Sequence, residues 1–306
     1  MRVLGGRSLS WGRQSYRMGD IDFKCASRDG YGENCPSSYA DLKPYYETVE
    51  KYVGISGMEE GLDHLPDSVF LPPLKMTCGE LRLRERAKAK MGRVVTIGRS
   101  AVLTQNHNGR QACHYCGPCE QGCVTNSYFN SPGTTIKDAL ATGRLTLVTD
   151  APVSHLVMQN GKAAGVGYVD RVTRQPREAR AKMVILCASS LESVRILMNS
   201  GVGNSSGMLG RFVMDHIYRG GASGVLPDLA ADPWAGSPSR PNGIYVPRFR
   251  NIDRSMTNGF IRGYGYQGRV MPAFNRNTPG FGKAFKDGVR GGHWTANLGL
   301  WAECLP

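Results

Sequence analysis

Acid is the first shortage. The chain has 306 residues, with 25 Asp and Glu against 38 Lys and Arg, and a formal charge of +13 at pH 7. Such a balance can attract nucleic acid, anionic lipid or an acidic partner protein. The basic residues are scattered, however, and no long basic run is interleaved with aromatics. The densest stretch, Leu81 to Lys90, reads as the solvated face of a helix. Nucleic-acid binding is therefore not expected. Long apolar runs are missing too. Nothing approaches the roughly 20 apolar residues of a membrane-spanning helix, and Met1 to Gly6 has no apolar core of a secretory signal. The chain reads as soluble, cytoplasmic or periplasmic, with the compartment open. Internal repeats and low-complexity tracts are absent. Gly263-Tyr264-Gly265-Tyr266-Gln267-Gly268 fits G-x-G-x-x-G, but a dinucleotide fingerprint needs a strand before it and a helix after it. Here Pro272 follows closely and opposes a helix, so the run reads as a glycine-rich strand or turn.

Cysteine, by contrast, is concentrated. Cys113, Cys116, Cys119 and Cys123 stand in the order C-x2-C-x2-C-x3-C, a spacing found in loops that hold iron–sulfur clusters. Gly117 and Gly122 let the backbone curl, so thiolates can converge. A structural zinc site normally has its two Cys pairs a dozen or more residues apart, which makes zinc the weaker metal reading. Two local disulfides in an exported protein, or free packed thiols, stay open as alternatives. Cys123 is the least certain ligand, because the fourth Cys of such a run often serves another cluster. The total of nine cysteines is odd and implies no even disulfide framework. Cys187, after Met183-Val184-Ile185-Leu186, reads as a buried small hydrophobe.

Local patterns give a coarse map. Ser38 to Val53 reads as a capped helix with the stripe Leu42, Tyr45, Tyr46, Val49 and Val53. Residues 60–75 read as loop, Thr134 to Thr142 as a short helix closed by Gly143, and Leu145 to Val148 as a strand. Val153 to Met158 and Ala163 to Val172 form a hairpin across Asn160-Gly161, a strong type I′ signal. Glu178 to Cys187 reads as a buried strand and Ser190 to Asn199 as the following helix. A strand, a small-residue turn and a helix together present backbone N–H groups to a phosphate. From about residue 205 Pro and Gly become frequent. Pro233 to Asn242 reads as a loop, and the segments at 243–246 and 296–301 as sheet.

With these residues laid out, the chain resembles the glucose–methanol–choline (GMC) family of flavin oxidoreductases. Leu4-Gly5-Gly6-Arg7-Ser8-Leu9-Ser10-Trp11-Gly12 is similar to the family's glycine-rich loop under the flavin ring. Ala188 to Gly203 is similar to its second signature, with departures at Ala188 and Glu192. Leu209 to His216 resembles the stretch that follows. The resemblance implies an α/β plus α+β fold, a partial FAD-binding (Rossmann-like) domain with an antiparallel-sheet substrate domain. It divides the chain into a flavin loop (1–24), a cap segment (25–98), an FAD-domain segment with the cysteine loop (99–205) and an incomplete substrate domain (206–306).

By the same resemblance the FAD-binding residues are Gly5, Gly6, Ser8, Trp11, Gly12, Val153, Ala188 and Ser189. Ser10 precedes Trp11 where some relatives carry a flavin-bonded His, so the FAD is expected to be non-covalent. The implied activity is oxidation of the CH–OH group of a sugar or other alcohol, with hydride passing to flavin N5. The cluster on Cys113, Cys116, Cys119 and Cys123 would relay electrons to a cytochrome or quinone. The family's nucleotide fingerprint and its catalytic His are expected before Met1 and beyond Pro306, so no catalytic residue is assigned and this chain alone is expected to be inactive. Asp215 and His216 read as scaffold. Tyr245, Tyr264, Tyr266, Trp294 and Trp301 read either as sugar-stacking rings or as sheet core. Two readings outside this class remain: a non-catalytic metal-binding protein, structural zinc or iron–sulfur, derived from the fold, and, ranked lowest, a zinc-bearing nucleic-acid binder.

Overall fold

The computed structural model describes residues 3–218, 220–229, 240–253, 259–273, 278–290 and 293–303. Most of the loop expected at 233–242, and Cys304, lie outside the described residues. The chain divides into two compact units, one of residues 1–137 with 216–304 and one of residues 138–215 with 305–306.

The larger unit is organised on an antiparallel sheet. Its strands run in the order Thr96–Ile97, Ile244–Val246, Tyr264–Pro272, Trp294–Glu303 and His216–Ile217, with Gly221–Leu226 also paired to Trp294–Glu303. The central register runs from Tyr264 opposite Ala302 to Pro272 opposite Trp294. Gly268 lies in the middle of it, and a Cβ there would stand 1.9 Å from the Asn297 carbonyl oxygen. The glycine run at 263–268 is therefore strand, with glycine required by close backbone approach.

The helix Cys78–Met91 covers one face of this sheet. Thr77 and Glu80 form a capping box at its start, and the Thr77 hydroxyl donates to the Val270 carbonyl at 2.8 Å. Gly79 allows the close approach, since a Cβ would lie 2.6 Å from Val270 and 2.8 Å from Trp294. Ala87, Val95, Ile244, Val246, Val270 and Trp294 form the core beneath. Trp294 is thus core, while Tyr245 stacks on Tyr16 with centroids 4.6 Å apart and Trp301 on Tyr218 at 5.9 Å.

The helix Tyr39–Val53 is capped by Ser38 with Asp41, as the sequence predicts, and continues through Pro44 near its start. Its apolar stripe is only partly buried. Tyr45 and Val49 are exposed, Leu42 and Tyr46 are half-buried, and Val53 is buried beside Glu50. The reason is an ion pair. Arg17 Nε donates to Glu50 Oε1 at 2.8 Å and the second guanidinium nitrogen to Oε2 at 2.5 Å, while Val69 N–H donates to Oε2 at 3.0 Å. Satisfying this desolvated carboxylate turns the helix toward Arg17.

The smaller unit holds a three-stranded antiparallel sheet, Val153–Gln159, Lys162–Val169 and Pro176–Arg180. Asn160 and Gly161 both have positive φ (51° and 73°), which is the type I′ turn the dipeptide predicts. The helix Ser190–Asn199 packs on the first strand through Ile196, and Leu156 N–H donates to Ser200 Oγ at 2.8 Å. One expected strand is absent and another is cut short. Leu145–Val148 is irregular and exposed, and the third strand ends at Arg180, leaving Met183–Cys187 unpaired. Met183 is 74% and Ile185 76% exposed, and Cys187 is exposed rather than buried. An apolar run becomes a strand only when a neighbour takes up its N–H and C=O groups, and among the described residues neither run has one. The one parallel pairing among the described residues joins Ile55–Ser56 to Phe70–Leu71. Among them, too, no helix is long and apolar enough to cross a membrane.

Candidate cofactor loop and cysteine segment

The segment 5–13 is built around two left-handed glycines. Gly5 (φ 93°) precedes a 3-10 turn over Gly6–Leu9, and Gly6 has φ 48°. A Cβ on Gly5 would meet the Pro132 ring at 2.7 Å, so Gly5 is required by contact as well as by conformation. A Cβ on Gly6 would meet nothing within 4 Å, which marks the open side of the loop. Ser8 locks the turn. Its hydroxyl reaches the Gly5 carbonyl at 2.6 Å and Ser131 Oγ at 2.8 Å, and Ser131 N–H donates to it at 3.0 Å.

Arg13, which sequence reasoning missed, closes the loop from beneath. It is 3% exposed and left-handed at φ 58°. Its guanidinium donates to Ser8 O at 3.0 Å, Leu9 O at 3.4 Å, Trp11 O, and, through Nε, Phe129 O at 2.9 Å. Its Cζ lies over the Tyr128 ring, 3.7 Å from the centroid. Nothing in the sequence marks this role, because the acceptors are carbonyls and the stacking partner is more than a hundred residues away. Trp11 packs edge-on to Phe129 at 6.1 Å, and its Nε1 is buried with no partner among the described residues. Gly12 lies beside Asn242, whose Oδ1 is 3.9 Å from a Cβ built there. Gly5, Gly6, Ser8, Trp11 and Gly12 are thus one connected loop.

Val153, Ala188 and Ser189 lie in the smaller unit. Val153 opens the first strand, and its carbonyl accepts from Arg195 of the helix Ser190–Asn199 at 2.8 Å. Ser189 is the N-cap of that helix, with φ 72° and ψ 162°. Ala188 precedes it, so the three are brought to the start of one helix and the strand it packs on.

The cysteine segment is compact. Tyr115 (φ 59°), Gly117 (φ 100°) and Gly122 (φ 128°) bend it through left-handed positions. Cys113, Cys119 and Cys123 pack against Leu74, Ile97, Val102 and Tyr128, while Cys116 is exposed. Burial, then the neighbouring Cys113, Cys116 and Cys123, pushes the Cys119 thiol up to about 11. Burial also raises Cys113. Burial would raise Cys123 as well, but hydrogen bonds from Ser127 and Thr125 hydroxyls and from backbone N–H groups outweigh it and bring that thiol down to about 7. Cys123 Sγ lies 3.3 Å from Thr125 Oγ1 and 3.4 Å from Ser127 Oγ. Among the described residues no group of three or more His, Cys, Asp or Glu side chains is placed to hold a metal ion. The donors have the chemistry of a cluster site, but the thiols as they stand do not share one centre.

Residues 31–218 match the family model for GMC oxidoreductase. The chain is 31% identical over 280 residues to 2-methyl-1,2-propanediol dehydrogenase of Mycolicibacterium austroafricanum, covering 87% of this chain and 49% of that protein. It is 26% identical to 6'''-hydroxyparomomycin C oxidase of Streptomyces lividus over 76% of this chain and 45% of that one. It is 25% identical to the fructose dehydrogenase large subunit of Gluconobacter japonicus over 78% and 45%. The chain spans about half the length of these curated relatives.

Proposed function

The chain belongs to the GMC oxidoreductase family, and from that premise we propose that it is part of an FAD-dependent oxidoreductase acting on the CH–OH group of a sugar or other alcohol. The observation that carries this reading is the loop 5–13, whose two left-handed glycines are pinned from below and open at Gly6. Relatives named for a diol and for fructose support the substrate class.

When bound, FAD supplies the acceptor for the hydride of the alcohol carbon. Gly5, Gly6, Ser8, Trp11 and Gly12 would hold its ring end, without a covalent bond, since Ser10 precedes Trp11. The orphaned Trp11 N–H and the open side at Gly6 fit a ligand at this loop. Val153, Ala188 and Ser189 would hold the adenine and phosphate end, in keeping with small residues at a helix start. In domain terms, 1–24 and 99–205 would serve the cofactor, with 25–98 and 206–306 roofing the substrate. Loss of the C–H hydride requires the hydroxyl proton to leave with it, and we assign that proton to no described residue.

The finer part of the proposal is onward electron transfer through an iron–sulfur cluster on Cys113, Cys116, Cys119 and Cys123 to a cytochrome or quinone. Its support is the donor set and its spacing. Because the thiols share no centre, no step is derived through it.

The test is anaerobic purification, followed by iron, acid-labile sulfide and FAD analysis with an absorption spectrum, and then titration with added FAD. Because the chain alone is expected to be inactive, binding is the readout: FAD that binds the wild type and is weakened by Gly6→Asn supports the flavin reading, and no binding of added FAD overturns it. Iron with sulfide and a band lost in Cys116→Ser supports the relay, and zinc alone or no metal removes it.

A further inference from the structure

Arg13 stands where two functional segments meet. On one side its guanidinium takes the carbonyls of Ser8, Leu9 and Trp11, the exit of the glycine turn. On the other its Cζ lies over the ring of Tyr128, which is 4% exposed. Tyr128 is also a support of the cysteine segment. Its ring belongs to the cluster against which Cys113, Cys119 and Cys123 pack. The adjoining Ser127 hydroxyl lies 3.4 Å from Cys123 Sγ. The carbonyls at the end of a short helical turn have no partners within it, and a guanidinium offers five donors in a rigid plane that also stacks on an aromatic face. Arg13 thus bonds carbonyls of the turn and faces the Tyr128 ring at once. A shift of the turn therefore moves the guanidinium over Tyr128, and a shift of Tyr128 moves the adjoining Ser127 hydroxyl at Cys123.

We propose that Arg13 is a positioning residue that couples the cofactor loop to the cysteine segment: it holds the turn Gly6–Leu9 in its receiving shape and passes that shape, through Tyr128, to the thiol of Cys123. The ligand in this proposal rests on the flavin reading above; the coupling rests on the contacts themselves. Coupling acts in both directions, so FAD changes the alkylation rate of Cys123 and alkylation of Cys123 changes the affinity for FAD, though a rate and an affinity need not change by the same factor.

The experiment uses the whole chain, reduced and freed of metal with a chelator. Alkylation of Cys123 by iodoacetamide is followed by peptide mass spectrometry with and without FAD, in wild type, Arg13→Ala and Tyr128→Leu, with circular dichroism to check folding. FAD is expected to change the wild-type Cys123 rate by about fivefold or more. Tyr128→Leu, which leaves the Arg13 carbonyl bonds intact, abolishes that change. Arg13→Ala abolishes it too, and millimolar guanidinium restores it where urea at the same concentration does not, a rescue that general loosening of the fold would not show. FAD that binds the wild type and leaves Cys123 unchanged overturns the proposal, as does either variant behaving like wild type. Should FAD not bind the wild type, the flavin reading fails separately. The coupling is then decided without FAD: a Cys123 rate altered in Arg13→Ala and restored by guanidinium supports it, and an unaltered or unrestored rate overturns it. Should Arg13→Ala not fold, Tyr128→Leu decides alone.

Discussion

Adding one methyl to either glycine of the cofactor loop separates folding from binding. In Gly5→Ala the new Cβ stands 2.7 Å from two ring carbons of Pro132 and 3.2 Å from Leu9 Cγ, on a backbone with φ 93°. The left-handed backbone costs about 1–2 kcal/mol for an L side chain. Overpacking against the rigid proline ring costs about 1–3 kcal/mol more, so the total is about 2–5 kcal/mol. In Gly6→Ala the backbone cost recurs at φ 48°, but the methyl meets nothing. Its loss is about 1–2 kcal/mol. For a unit of this size each kcal/mol shifts Tm by about 2–4 °C, so thermal unfolding should rank Gly5→Ala well below Gly6→Ala. Binding should rank them in reverse relative to stability. The Gly6 methyl points to the open side, where the cofactor is placed, and every 1.4 kcal/mol lost there is about tenfold in Kd. Gly6→Asn, which tolerates the left-handed backbone, controls for strain. FAD titration followed by flavin fluorescence reads the affinity. Equal melting losses would refute the packing argument, and an unchanged FAD affinity in Gly6→Ala would refute placing the cofactor at this side of the loop.

Two further outcomes follow from local conformation and charge. Ser189 sits at φ 72° and ψ 162°, a region that only glycine occupies readily, and strain there is worth about 1–3 kcal/mol; Ser189→Gly should raise the unfolding temperature of the unit 138–215 while Ser189→Ala should not, and a Gly variant no more stable than wild type would sink the strain. Cys123, held down to about 7 from the ordinary 9.0, should alkylate with half-maximal rate near that pH, far below Cys119. Because its folded value is depressed, the stabilisation it supplies is complete above the ordinary thiol value and is lost as pH falls through about 7. A Cys123→Ser variant should lose that pH dependence of unfolding, and a wild-type profile flat between pH 6 and 9 in denaturant titrations would count against the hydrogen-bonded thiolate.

Local chemistry was legible from the amino acids alone. Ser38 with Asp41 started a helix, Asn160-Gly161 closed a hairpin, and Ser190 to Asn199 was helix, because each is decided by groups a few residues apart. The pattern of Gly263 to Gly268 was correctly refused as a nucleotide loop for the same reason, since the proline after it opposes a helix. The glycine loop and the cysteine run were visible as motifs, and the family resemblance is borne out by the match over residues 31–218. The apolar runs at 145–148 and 183–187 were misread, because whether such a run becomes a strand is decided by a neighbour's hydrogen bonds and not by its own residues.

The helix face of Tyr39–Val53 was hidden in the same way: its orientation follows from Arg17, distant in sequence, reaching Glu50. Arg13 left no trace at all in the pattern of residues. What the sequence determined by itself is chemistry that short-range geometry can complete: caps, turns, the supply of thiols and the glycines of the loop. What only the tertiary structure decided is which carbonyls, rings and thiols a buried cation joins, because those partners meet through contacts between residues 13, 123 and 128 that no local periodicity records.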